Sequence, residues 1–159
     1  MTVQTQSGGS PAARAEELGT DNLIYREPQD ETWKSAWEVT EKLIDTMRDE
    51  VLAHHARFFV ATLSNGIQVA PSAQVRTDFL KRVGATDLFY PDHRIKNLGS
   101  RDGFEVINLA PDLQTYAERN NVFLHGFGSD LGSGHWNEKG HQVAGELLAK
   151  KMCEGGWVK

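Results

Sequence analysis

The sequence predicts an α/β layered fold around a mostly parallel sheet, and three observations predict it. Helical and strand patterns alternate in the order helix, strand, helix, helix, strand, helix, helix, the pattern of an α/β protein. The stretch Arg57-Phe58-Phe59-Val60-Ala61-Thr62-Leu63 is a short, largely apolar run that closes on Ser64-Asn65-Gly66. That is how a strand covered on both faces reads, as in a parallel sheet. Finally, 159 residues and 17.7 kDa suit one domain and leave no room for two ordinary ones.

Each element follows from local chemistry. Residues 1 to about 22 hold Gln, Ser, Gly, Thr, Ala and charge with almost nothing large and apolar, so they cannot offset their ordering entropy. They are expected to form a disordered lead-in, with order beginning near Leu23-Ile24-Tyr25. A long amphipathic helix is expected from Thr32 to about His54. At about 100° per residue, Trp33, Trp37, Ile44, Met47 and Val51 fall within an arc of roughly 80°. Asp30 or Thr32 caps its start, Glu31 suits the opening turn, and the two tryptophans read as core anchors. After the first strand, a helix from about Ser72 to Val83 carries Val75, Phe79 and Leu80 at helical spacing. Pro91 opens a further helical stretch to about Leu98, which Gly99 is placed to end. Phe104 to Leu109 forms the second strand, and Pro111 sits in the first turn of the next helix, where a missing N–H costs nothing. Residues 121 to 127 read as a third strand or a loop, and a last helix runs from about Asn137 to Met152. Two firm strands are few beside so much helix, since sheets usually hold about four to six.

Composition removes several classes of function. Seventeen basic and twenty-two acidic residues give a net charge of -5 and a pI near 5.7, unlike the basic stripe of a nucleic-acid binder. No apolar run approaches the roughly 20 residues of a membrane span, and the N-terminal residues hold no apolar core of a secretory signal. The single cysteine, Cys153, excludes an internal disulfide and a cysteine-based zinc site. No metal or organic cofactor is implied.

The densest chemistry lies between Gly126 and His141, in Gly-Phe-Gly-Ser-Asp-Leu-Gly-Ser-Gly-His-Trp-Asn-Glu-Lys-Gly-His. Asn137 can cap the last helix, which puts His135 just before the helix's positive end. There neutral imidazole is favoured over imidazolium, and a neutral loop histidine is well placed as a general base. Gly140 falls inside the buried arc of Val143, Ala144, Leu147 and Leu148 and permits close approach to the sheet; His141, at the edge of that arc, reads as a packing histidine. Three other motifs fail on spacing. His135 and His141 are six apart rather than the four of a helical zinc pair, and the glycines fit neither phosphate-loop pattern. Gly128-Ser129-Asp130-Leu131 inverts the order of a lipase signature.

The block Gly134-His135-Trp136-Asn137-x-x-Gly140-His141, with its small and apolar helix, resembles the last motif block of the SGNH hydrolases, the GDSL-type esterases. Tyr25-x-x-Pro28 followed by Trp33 and Trp37, the Phe58-Phe59-Val60 strand, Gln68-Val69-x-Pro71 and Phe89-Tyr90-Pro91 are similar in order to the C-terminal half of bacterial members. The resemblance covers residues 23 to about 153. It implies a flavodoxin-like three-layer α/β sandwich with a parallel sheet, and serine ester hydrolysis with His135 as the base. The bond cleaved would belong to a small-molecule or glycan ester, such as an acyl group on a sugar. The chain departs from the family in three places. It holds no Gly-Asp-Ser nucleophile block and no Gly-x-Asn-Asp block, and Gly132 stands where the family places an Asp three residues before the base. Asp130 is then the nearby loop carboxylate that could orient His135. Ser64 and Ser133 are substitute nucleophiles, although Ser64 reads more simply as part of a turn. The expectation is therefore a partial domain over residues 23–159, with N-terminal strands missing and a sheet edge left unpaired. Alternatives are an inactive carbohydrate- or acyl-ligand-binding module, or a fragment dependent on a missing half or on self-association.

Overall fold

Helix starts follow their capping residues. Asp30 accepts a hydrogen bond from the Trp33 amide at 2.8 Å and opens α1 (Glu31–Ala53). Ser72 does the same for α2 (Ala73–Val83), and Asn137, accepting from the Gly140 amide at 2.9 Å, for α5 (Glu138–Glu154). α3 (Tyr90–Asp102) and α4 (Ala110–Asn120) each carry a proline in their first turn. With β1 (Phe59–Thr62), β2 (Glu105–Asn108) and a short 3₁₀ turn at Asn22–Tyr25, these make up the computed structural model, which describes residues 22–157. The expected disordered lead-in lies outside the described residues apart from Asn22.

The order of elements is the expected one, but the flavodoxin-like sandwich is not formed. Among the described residues five helices surround one sheet of only two strands, β1 and β2, parallel and in register from Phe59 opposite Glu105 to Thr62 opposite Asn108. The candidate third strand, residues 121 to 127, runs as a loop. Asn121 ends α4 in the left-handed region at φ 49°, Gly126 turns at φ 82°, and only a single antiparallel bridge forms, between His125 and Trp136. With one neighbouring strand among the described residues, β1 is only partly buried rather than fully buried as its apolar run implied. All four of its residues are half-buried.

Helices nonetheless cover both faces of the strand pair. Val60 and Val106 pack with Trp37 of α1 and Ile95 of α3. Phe59, Ala61 and Ile107 pack on the other side with Leu113 and Ala117 of α4 and Val143 and Ala144 of α5. This is the period-two alternation of a strand shared between two apolar layers. Gly99 does not end a helix. α3 continues to Asp102 and stops at Gly103, which takes the left-handed cap conformation at φ 78°. Gly99 instead faces β2, where a Cβ would stand 2.5 Å from Val106 Cγ2, so the missing side chain lets helix and strand touch.

α1 is only half covered. Trp37 is buried with the Arg94 guanidinium 4.8 Å above its ring, Arg94 pairs with Glu41 at 2.7 Å, and Arg48 donates to the Asp102 carbonyl at 3.0 Å. All three ties lead to α3. Met47, expected in the buried arc, is 52% exposed and joins Val39 and Leu43 in an apolar stripe that no described residue covers. The contrast sets an expected pair of outcomes in urea unfolding. Leu113→Ala, at a position with no exposed area, lowers stability by about 2–5 kcal/mol, whereas Leu43→Gln changes it by less than about 0.5 kcal/mol.

Candidate functional site

The carboxyl ends of both strands are clamped by one buried acid. The Thr62 hydroxyl donates to Asp92 Oδ1 at 2.6 Å, the Gln68 amide donates to Asp92 Oδ2 at 2.7 Å, and Asn108 Nδ2 donates to the Asp92 carbonyl at 3.2 Å. Burial pushes the Asp92 carboxyl above its ordinary pKa, while the Thr62 and Gln68 hydrogen bonds pull it back. Gln68 also donates to the Leu88 carbonyl and accepts from the Asn65 amide at 2.8 Å. The chain leaving β1 is thereby held in a fixed path, and Ser64 is the second residue beyond the strand.

Across from it stands His125, delivered by the loop between α4 and α5. That loop is tied by main-chain bonds: Gly126 N to the His135 carbonyl at 3.0 Å, Gly132 N to the His125 carbonyl at 2.8 Å, and Asn137 N to the Leu124 carbonyl at 3.0 Å. Gly140 is the close-approach position its pattern implied, but its neighbour is the loop rather than the sheet. A Cβ there would collide with the Leu124 carbonyl oxygen.

The side chains then fall into a directed chain. His125 Nδ1 lies 2.8 Å from the Gly134 carbonyl oxygen, which can only accept, so Nδ1 carries the proton. Nε2 is left as an acceptor 3.0 Å from Ser64 Oγ, and the Ser64 hydroxyl donates to it. Trp136 Nε1 donates to the same oxygen at 2.8 Å. Ser64 is 7% and His125 3% exposed. Burial lowers the His125 pKa below its ordinary value; the Gly134 hydrogen bond opposes this, and nearby His135 adds to it. His125 is therefore neutral at pH 7.

A cavity of about 370 Å³ opens onto this pair, lined also by Leu63, Asn65 and the exposed His135 and His141. It lies at the carboxyl end of β1, where open α/β sheets bind their ligands. His135 thus reaches the cavity. Asp130 does not join it. Its carbonyl accepts from the Ser133 amide and hydroxyl within the loop turn, and no hydrogen bond links its carboxylate to His135. The Ser133 hydroxyl donates to that carbonyl at 3.1 Å and makes no hydrogen bond to a described histidine. His141 is exposed, with its ring edge-on to Trp136 at 5.6 Å, rather than packed in the core.

Sequence reasoning missed His125. The one local signal for it is a histidine between Phe123-Leu124 and a turn-forming Gly126. Among the described residues no three His, Cys, Asp or Glu side chains converge to hold a metal ion, and no helix is long and apolar enough to cross a membrane. Compared with family models, curated proteins and solved structures, the chain matches none of them.

The buried imidazole sets a pH dependence of stability. His125 titrates near pH 6.5 when unfolded and lower when folded, so the unfolded chain binds more protons between those two values. The stabilisation is complete above about pH 6.5 and is lost as pH falls through the folded pKa. Urea midpoints measured from pH 8 to pH 4.5 are expected to fall over the lower part of that range, and His125→Gln to remove most of the slope.

Proposed function

We propose that the chain hydrolyses esters, with Ser64 as nucleophile and His125 as its general base. One observation carries the reading. Ser64 Oγ and His125 Nε2 stand 3.0 Å apart while the Gly134 carbonyl holds the proton on the opposite ring nitrogen. A nucleophile, a base within reach and a group that orients the base are the parts covalent acyl transfer requires.

As Ser64 Oγ attacks the ester carbonyl, its proton passes to His125 Nε2, and the imidazolium keeps its Nδ1 hydrogen bond to the Gly134 carbonyl. The Trp136 N–H, directed at Oγ, favours charge on that oxygen before the bond forms. His125 then returns the proton to the departing alcohol. In the second half it takes a proton from the water that cleaves the acyl-serine, releasing the acid and restoring Ser64. The substrate class carried over from the SGNH resemblance is a small-molecule or glycan ester. That resemblance gives the base role to His135. The hydrogen-bond geometry favours His125, and leaves His135 at the cavity mouth to contact the substrate.

The test is hydrolysis of 4-nitrophenyl acetate by the purified chain and three variants. Ser64→Ala and His125→Gln are each expected to cut kcat/KM by at least about a hundredfold, with circular dichroism confirming that they remain folded. His135→Ala is expected to raise KM more than it lowers kcat. Undiminished turnover in folded Ser64→Ala would overturn the reading. Complete loss in His135→Ala alone would return the base to His135.

A further inference from the structure

A second cavity, of about 440 Å³, adjoins the first; Asn65 and Gly134 line both. Its apolar lining is Ile67 with Tyr25 and Phe79, whose rings meet edge to face at 5.5 Å, and Gly132, Ser133 and Gly134 line it as well. Asn65 Nδ2 donates to the Tyr25 hydroxyl at 2.9 Å and so fixes the ridge between the two cavities.

Among the described residues the one charged side chain lining this cavity is the exposed Arg82, in the last turn of α2, its guanidinium 5.2 Å above the Phe79 ring centre. Arg48, Arg76, Arg94 and Arg101 all pair with carboxylates, as Asp45, Glu118, Glu41 and Asp102. Arg82, like Arg26, Arg57 and Arg119, pairs with no carboxylate among the described residues, and of these four it is the one that lines the cavity beside Ser64. A guanidinium stacked on a ring keeps its planar edge of donors free, and that edge matches a carboxylate in a two-point contact.

We infer that Arg82 is a specificity-determining residue that binds a carboxylate on the substrate, and that the preferred esters carry an anionic acyl chain. The inference rests on the Ser64 reading above. The chain between ester and carboxylate crosses the Asn65–Gly134 ridge, with its methylenes against Ile67 and Phe79 and its carboxylate at Arg82. Neutral esters of the same alcohol fill only the first cavity.

The experiment compares 4-nitrophenyl acetate with mono-4-nitrophenyl succinate, which differ in the acyl carboxylate. Wild type is expected to favour the succinyl ester in kcat/KM by about tenfold or more, the size of one charge-assisted contact. Arg82→Gln is expected to bring that ratio to unity without changing acetate hydrolysis, and Arg82→Lys to restore part of it. Equal kcat/KM for the two esters in wild type would overturn the inference and leave the serine reading intact. If neither ester is hydrolysed, the serine reading fails, and calorimetric titration with N-phenylsuccinamic acid, an amide analogue, decides the subsite alone. Binding weakened about tenfold by Arg82→Gln supports the subsite. No binding, or equal binding by both proteins, overturns it.

Discussion

The hydrogen bond between Ser64 and His125 joins segments 61 residues apart, and the arrangement of the glycine-rich loop depends on it. Ser64 belongs to the path leaving β1, while His125 belongs to the connection between α4 and α5. The Trp136 indole, 72 residues from Ser64 in sequence, closes on the same hydroxyl. A buried hydroxyl and imidazole each need a partner, leaving one unmet costs about 1–3 kcal/mol, and the half-buried indole supplies a further donor. Each satisfies another here, and together these bonds hold the loop against the strand end. The bond that fixes this conformation is also the one that directs the hydroxyl proton toward Nε2.

The frame beneath is arranged to keep Ser64 still. Asp92, at the start of α3, holds β1 through Thr62 and the following loop through Gln68. A carboxyl deprived of water is tolerated there because both of its oxygens receive a hydrogen bond. Gly99 brings α3 onto β2, and Gly140 brings α5 onto the Leu124 backbone, one glycine on each face of the strand pair. Among the described residues the sheet has only two strands, so the site is held by these polar ties and close helix contacts more than by sheet width.

Much of the frame was legible because its signals are local. Asp30, Ser72 and Asn137 cap the helices that follow them, the first-turn prolines stand where their missing N–H is harmless, and the strand runs were found within two residues. What went unread depends on distant partners. Gly99 looks like a helix stop until β2 is placed against it, and Met47 looks buried until the helix is seen to have apolar neighbours on one flank only. The number of strands is likewise a matter of which segments meet. At the site, the loop motif drew attention to His135, which does line the cavity, and away from His125. Nothing adjacent to His125 in sequence shows that a serine 61 residues earlier will meet it, and Ser64-Asn65-Gly66 taken alone is a turn.

The most direct measurement is peptide mass mapping after treating the folded chain with a fluorophosphonate, which forms an adduct with an activated serine. One adduct on Ser64, lost in His125→Gln and retained in Ser133→Ala, is the expected result. Labelling of another residue, or no labelling of protein shown to be folded, would contradict the assignment of Ser64 and His125 as nucleophile and base.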